Sequence, residues 1–506
     1  MHVVKLSSAM MSLLACSGDG KPPPVDDTGG ETEQIGDSGA ADTAGDDSGA
    51  TDSGATDSGT TDSGTTDSGA PEPAAIGESV LILGPGSGEP EAIAEHLQAL
   101  IEHDGLAEGT RVDALELPSP ASPYISEMSL MTAWYQATDR DERMASFEGE
   151  WDHVILIETT QVTGLLPEFT FEGLHTLGGH FEDRGSAVHL LLEAPRAADG
   201  YDFDAAVENS YRVADGTGAG LVPAGLASRD VDGADDWGVV AATSIYSSLR
   251  GVSAARVEEA PDGMAPEVFA VLADDIHALV AGEAGVEHYS GDYDGPVKVA
   301  DRELPASYGV MVAGTSSERN YLVMMQTFLS ERGITNHAVN LGQCNDYRQV
   351  DAGCVEDASG HFEADDYVSL LARGYTVDHS DVVAAGGGDI QSQLYDRHWD
   401  ATDSDGLNAL DELDARLAWV LIEAAERDLA MIPHHLFWAR FHDVDPDAVM
   451  LNDGVHASDP ILYGISTMSF VAATGGTAAA EGLSDEHAAI SELAEACLRQ
   501  WSTLQE

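Results

Sequence analysis

Two stretches decide how this chain folds, "SVLILGPGS" at residues 79–87 and "GVMVAGTSS" at residues 309–317. Each is a short, continuous apolar run that ends in glycine and small polar residues, the pattern of a strand buried on both faces and released into a turn. Behind the first, "EPEAIAEHLQALIEHDG" (89–105) carries its apolar residues at helical spacing and stops on Gly105. "WDHVILIE" (151–158) and "AVHLLLE" (187–193) repeat the strand signal, with helical stretches between. Strand and helix in alternation predict an α/β fold, with parallel strands and helices on both faces.

The second half of the chain replays the first. "WDHVILIETT" (151–160) answers "HSDVVAAGGG" (379–388), and "AGLVPAGLA" (219–227) answers "LAMIPHHLF" (429–437), which sets Pro223 against Pro433. "DGADDWGVVAATSIYSSLRG" (232–251) answers "DGVHASDPILYGISTMSFVAATGG" (453–476). With the opening pair these make matched stations in one order, at an offset of roughly 210 to 230 residues. The pattern predicts two tandem three-layer α/β/α domains with parallel sheets, over 77–288 and 300–506, joined near "EHYSGDYDGP".

The 506 residues include 43% hydrophobic ones, enough to bury real cores. Acidic residues number 90 against 22 basic ones, a net charge of −68 that repels nucleic acid and anionic lipid, so neither is an expected partner. Lysine occurs only at Lys5, Lys21 and Lys298. Such a surface speaks to solubility rather than to chemistry.

Residues 1–16, "MHVVKLSSAMMSLLAC", join one lysine to an apolar run too short to span a bilayer, the shape of a secretory signal. "LLAC" resembles the lipobox of bacterial lipoproteins. The resemblance implies that Cys16 is lipidated and becomes the mature N-terminus, and that Ser17 after it favours the outer membrane. The expectation is an exported protein held in the envelope by its N-terminal lipid alone. Residues 17–76 follow without hydrophobic period and include "DSGATDSGATDSGTTDSGTTDSG" (47–69), a five-residue repeat that cannot bury apolar surface and reads as a flexible acidic tether. Cys344 and Cys354 could close a short disulfide in an oxidising envelope, while Cys497 lies on a helical pattern and is expected to be buried.

The chemistry is carried by "VMVAGTSS", which places Ser316 just after a buried strand, and by "DGVHAS", which supplies Asp453 and His456. These residues resemble the SGNH hydrolases, also called GDSL-type lipases and esterases. In that family a strand delivers a Gly-x-Ser turn near the N-terminus and an Asp-x-x-His pair follows near the C-terminus. The resemblance implies a flavodoxin-like SGNH-hydrolase fold, Ser316 as nucleophile, His456 as its base and Asp453 as the group that orients the imidazole. It further implies oxyanion donors at the Ser316 amide and Gly342. The family's third block, Gly-x-Asn-Asp, stands here as "GGGD" (386–389), so Gly388 occupies the asparagine position. One lost oxyanion donor costs about 10²–10³ in turnover, and Gln391 and Gln393 are near enough in sequence to substitute.

In the first copy Gly86 falls where Ser316 stands and Asp235 where His456 stands, so nucleophile and base are both missing. That copy reads as a non-catalytic companion. "DDIHAL" offers Asp274 and His277 at the same spacing, on what reads as an ordinary amphipathic helix. "IPHHLFWARFHDVDPD" holds His434, His435, His442, Asp443 and Asp445, types that ligate zinc. If this stretch is a strand, His434 and His435 point to opposite faces and cannot share one ion, so neither metal nor cofactor is expected. Phe437 and Trp438 read as core. The expected activity is that of a serine ester hydrolase acting on a small acyl ester or a glycan. The competing expectation is a surface lipoprotein that binds a glycan or a protein without turnover.

Overall fold

The computed structural model describes residues 79–104, 110–117, 129–135, 147–195, 202–257, 260–261, 264–286, 288–291, 293–300, 307–313, 316–340, 367–373, 390–395, 413–426, 430–446, 448–452 and 456–505. Residues Pro71–Glu506 form one compact unit. Among the described residues it holds two five-stranded sheets, every strand pair parallel. The first comprises β1 (Ser79–Pro85), β2 (Arg111–Leu117), β3 (His153–Glu158), β4 (Ala187–Leu192) and β5 (Gly220–Val222), in the order β2-β1-β3-β4-β5. The second comprises β6 (Ser307–Ala313), β7 (Thr335–Asn340), β8 (Tyr367–Arg373), β9 (Ile390–Tyr395) and β10 (Ala430–Ile432), in the order β7-β6-β8-β9-β10. Strand for strand the two orders are the same.

The opening run behaves as its composition demands. Val80, Leu81, Ile82 and Leu83 are all buried, and successive side chains leave β1 on opposite faces. Val80 and Ile82 join Ile93, Leu97 and Ile245 on one side, whereas Leu81 and Leu83 join Leu156, Phe169 and Phe181 on the other. A strand apolar at every position is what a parallel sheet covered on both faces requires.

The helices of the first half are α1 (Pro90–His103), α2 (Leu130–Tyr135), α3 (Thr160–Leu165), α4 (Pro167–Gly173), α5 (Phe203–Thr217), α6 (Ala224–Asp230), α7 (Trp237–Arg250) and α8 (Pro266–Glu283). Those of the second are α9 (Ser316–Glu331), α10 (Leu413–Glu426), α11 (His434–Val444), α12 (Asp459–Thr474) and α13 (Asp485–Ser502). Pro223 and Pro433 occupy equivalent places, each the residue that caps the helix after the fifth strand of its sheet. α7 and α12 each end on a glycine with positive φ, Gly251 at 66° and Gly475 at 68°, a conformation that glycine adopts without a Cβ penalty. Among the described residues, no helix is long and apolar enough to cross a membrane.

Two expectations are corrected. The strand beside β6, equivalent to β3 beside β1, is Tyr367–Arg373 and not the 379–388 stretch matched to "WDHVILIETT". The third station of the second half therefore lies earlier in the chain than the sequence match put it. His434 and His435 open a helix instead of continuing a strand, because Pro433 ends β10 at Ile432.

The halves share one hydrophobic core that runs from Leu83 and Phe169 to Trp438 and Trp501. Phe437, Trp438 and Cys497 are fully buried, as expected, and burial pushes the Cys497 thiol up to about 11. At the junction a buried ion pair crosses from α4 to α11. Arg440 donates through Nε to Glu172 Oε1 at 2.9 Å and through Nη2 to Oε2. The same carboxylate accepts from the Tyr135 hydroxyl at 2.6 Å and from Trp501 Nε1 at 3.0 Å. Burial acts to raise the Glu172 carboxyl, but the guanidinium and these donors override it and hold the group below the usual carboxylate range. The linker is pinned as well, Met431 N donating to Pro296 O at 2.7 Å and Ala300 N to Ala472 O at 2.9 Å.

Candidate functional site

Ser316 is the first residue of α9, three residues beyond the described end of β6. A parallel strand that runs into a helix puts the residue at that helix start on the sheet's carboxyl edge, where open α/β sheets bind ligands. It also surrounds that residue with backbone N–H groups that lack helical partners. His456 is half-buried in a closed loop three residues ahead of α12. The loop is tied by an antiparallel bridge between Leu451 and Ala457, with Asn452 N donating to His456 O at 2.9 Å and Ser458 N to Met450 O at 3.0 Å. The Ser316 side chain, Asp453, Gly342, Gly388, Gln391 and Gln393 side chains, Cys344, Cys354 and Cys16 lie outside what is described. The correspondence that singled out Gly388 relied on the 379–388 match. In sequence, the residue after the observed third strand is Gly374, which also lacks a side-chain donor.

At the equivalent edge of the first sheet a Cβ on Gly86 would meet the Glu116 carboxylate, Oε1 at 2.5 Å, the far end of an exposed side chain that can swing aside. Asp236 caps α7 by accepting from Val239 N at 3.2 Å, and Trp237 Nε1 donates to Gly88 O at 3.0 Å. Farther down, Tyr246 donates to Asp104 Oδ2 at 2.5 Å. α1 and α7 thus run side by side in one direction, start beside start and end beside end.

The second half pairs its helices differently. Tyr463, one turn into α12, donates to Glu331 Oε2 at 2.6 Å at the end of α9, and its ring lies 5.4 Å from that of Phe328. Arg332 donates to the Tyr463 hydroxyl at 3.1 Å, and His487 stacks on Tyr463 at 3.9 Å. The early turns of α12 therefore sit by the end of α9. Ser316, at its start, precedes Glu331 by 331 − 316 = 15 residues, about 22 Å along a helix axis. Strand order is common to the two halves, but this helix pairing is not.

Sequence reasoning missed three groups of buried polar residues. Glu158 ends β3 and Glu193 follows β4, each 2% exposed. Their carboxylates accept from Leu130 N and Thr159 N at 2.9 Å and from Thr160 N at 3.1 Å, so they fasten the turns at the carboxyl edge. An acid closing an apolar strand, as in "VILIE" and "HLLLE", was the available signal. The third group is Glu168, buried and accepting from the Tyr293 hydroxyl at 3.0 Å. Burial pushes its carboxyl up to about 7, against the opposing pull of hydrogen bonds.

Glu168 makes stability depend on pH. The folded chain holds a proton there that the unfolded chain releases near 4.5, so stability falls as pH rises from about 4.5 to about 7. The loss is roughly 3 kcal/mol across that window. His189 acts oppositely. Burial first, then the neighbouring His153 at 3.2 Å, lowers it to about 4, so its contribution is lost as pH falls from about 6.5 to about 4. Comparing urea unfolding of wild type and Glu168→Gln isolates the first effect. The variant should lose most of the decline toward neutral pH, whereas parallel curves would contradict the assignment.

His434 and His435 are both buried, with ring centroids 5.7 Å apart. Among the described residues, no three His, Cys, Asp or Glu side chains are grouped to hold a metal ion.

No protein-family model matches the sequence, and no curated protein matches it. Among solved structures, a DUF4886-family protein from Bacteroides uniformis is 15% identical, with 41% of this chain and 96% of that chain covered at a TM-score of 0.33. The glycotransferase of kitacinnamycin is 13% identical, with 85% of this chain and 100% of that chain covered at a TM-score of 0.15. At these scores neither carries an argument about fold or activity.

Proposed function

We propose that this chain is an envelope-anchored serine ester hydrolase that removes acetyl or other small acyl groups from a carbohydrate or similar ester. The observation that carries the reading is Ser316 at the start of the helix that follows the first strand of a parallel five-stranded sheet. In this reading the loop that carries His456 must move from beside the end of α9, where Tyr463 and Glu331 hold the early turns of α12, to the start of α9; there His456 takes the Ser316 hydroxyl proton as the oxygen attacks the ester carbonyl, and Asp453 holds the imidazole in its tautomer. The Ser316 and Gly342 amides receive the developing oxyanion. The alcohol leaves with the proton from His456, and water then cleaves the acyl-serine by the same route. No metal or cofactor is required.

The fold reading that accompanies it is a duplication of SGNH-like domains, 77–288 and 300–506, with the first no longer catalytic. The identical strand orders support it, as do Gly86 and Asp235, which stand where the match calls for serine and histidine. Cys16 carries the lipid, residues 17–76 tether the domains away from an outer membrane, and the acidic surface keeps nucleic acid off.

A fluorophosphonate probe tests the assignment. It should label the wild-type protein at Ser316 and fail to label Ser316→Ala, and equal labelling of the two rules the nucleophile out. A second reading, a surface lipoprotein that binds a glycan without turnover, is favoured by one observation. The early turns of α12 lie beside the end of α9 rather than beside its start. Glycan-array binding that survives Ser316→Ala, with no ester cleaved by wild type, would select it.

A further inference from the structure

Glu168 and Glu172 stand one turn apart on α4 and are both buried, at 2% and 0% exposure. Their partners differ in charge. Glu172 meets the Arg440 guanidinium and stays ionised. Glu168 meets the Tyr293 hydroxyl, and among the described residues no arginine, lysine or histidine pulls its carboxyl down. A buried carboxyl with a neutral donor and no cation keeps its proton past the usual carboxylate range, and ionising it in place costs the desolvation that Arg440 offsets for Glu172.

Tyr293 belongs to the segment that joins the halves, described at residues 288–291 and 293–300. The segment lies directly on this carboxyl, for a Cβ on Gly295 would meet Glu168 Oε1 at 3.0 Å. Its hold on the first half is polar. Besides Tyr293, Tyr289 donates to Asp215 Oδ2 at 2.5 Å on α5, and Arg212 of the same helix lies 4.8 Å from the Tyr289 ring and 5.4 Å from the Tyr293 ring. Its hold on the second half runs through Val297, fully buried in the shared core, and through two backbone bonds. Pro296 O accepts from Met431 N of β10 at 2.7 Å, and Ala300 N donates to Ala472 O of α12 at 2.9 Å.

The charged groups around the segment are committed elsewhere. Arg212 donates to Glu208 at 3.0 Å and to Leu504 O at 3.2 Å, Lys298 pairs with Asp294 at 2.9 Å, and His288 pairs with Glu283. None of them acts on the Glu168 carboxyl, which only its own backbone amide and Tyr293 favour in the ionised form. An ionised Glu168 under the closed segment therefore has one neutral side-chain donor and no route to water.

We propose that Glu168 and Tyr293 form a proton-operated clasp on the segment between the halves: with its proton Glu168 holds the segment closed on α4, and when that proton passes to solvent the segment opens locally and lets the carboxylate reach water while both halves stay folded. The device is independent of the hydrolase reading. Closed, Glu168 releases its proton at about 7, and open, near 4.5, so opening becomes about tenfold more favourable between pH 6 and pH 8.

The test is native-state hydrogen exchange of the full chain, read as protection factors so that the intrinsic pH dependence of exchange is removed. The Met431 and Ala300 amides report on the segment, and the Ile155 and Leu156 amides of the buried strand β3 report on global unfolding. In wild type the two segment amides should lose about tenfold protection from pH 6 to pH 8, at a level that low urea does not change, because a local opening exposes little surface. The β3 amides should be better protected and should lose protection as urea is added. Glu168→Gln, neutral at every pH, should remove the pH-dependent loss at Met431 and Ala300. Tyr293→Phe keeps the proposal open to test if Glu168→Gln unfolds. Without the hydroxyl that favours the carboxylate, the loss of protection should continue to higher pH than in wild type. A loss that persists in Glu168→Gln, a Tyr293→Phe profile identical to wild type, or segment amides that share the protection and urea dependence of β3 would overturn the clasp.

Discussion

Replacing Arg440 by alanine should destabilise the folded chain by about 3–5 kcal/mol, the usual consequence of stranding one member of a buried ion pair. Glu172 is fully buried on α4, and Arg440 supplies the only cation that touches it among the described residues. With the guanidinium gone, the carboxylate keeps only the neutral donors of Tyr135 and Trp501. It must then either remain charged in the core or take up a proton, and each course costs free energy. The loss should appear in a urea midpoint followed by tryptophan fluorescence, because Trp501 itself belongs to the cluster. Replacing both residues, as Glu172→Leu with Arg440→Met, should restore part of the stability, since the desolvation cost disappears with the charges while the Tyr135 hydroxyl and Trp501 Nε1 lose their acceptor. Arg440→Ala within about 1 kcal/mol of wild type would show that the halves are held by their shared apolar core alone.

His456→Ala should lower kcat/KM for a short-chain ester by at least about a thousandfold, if His456 is the base that activates Ser316. A serine hydroxyl without a neighbouring base is a poor nucleophile, and serine and base act as one unit. The double variant Ser316→Ala with His456→Ala should therefore be no slower than either single variant, because the residual rate comes from binding and oxyanion contacts. Additive losses would mean that the two residues work separately. Tyr463→Phe gives a structural control. It removes the hydroxyl that ties α12 to Glu331 and Arg332 without touching the loop that carries His456.

Much of the scaffold was legible because it depends on local pattern. "SVLILG", "HVILIE" and "AVHLLL" each hold a continuous apolar run, VLIL, VILI and LLL, and a run buried on both faces reads as a parallel strand. Pro223 and Pro433 were legible as equivalents because proline both ends a strand and enters a helix. The third strand of the second sheet was misplaced because "YVSLLAR" interrupts its apolar run with serine and closes on arginine, whereas "HSDVVAAGGG" has the more typical apolar core and glycine exit. Strand pairing, not composition, separates them. His434 and His435 looked like strand residues because nothing after Pro433 supplies a polar helix cap.

What binds the halves together was not legible. Glu172 and Arg440 are separated by 268 residues, and Trp501 reaches Glu172 across 329. Nothing in the neighbouring sequence marks any of the three, and only the tertiary fold turns them into one cluster. The candidate site stands between these cases. The place of Ser316 after a strand was readable, and its helix start is where that reading puts it. The pairing of α12 with the end of α9 was not readable, since it depends on Tyr463, Phe328 and Arg332 finding one another.

The most direct measurement is the initial rate at which the purified protein hydrolyses short-chain nitrophenyl esters, beside Ser316→Ala and His456→Ala. A wild-type rate well above the buffer background, lost by at least about a thousandfold in both variants, is the predicted result. A wild-type rate that either variant retains, or no hydrolysis by wild type at any acyl length, would contradict it.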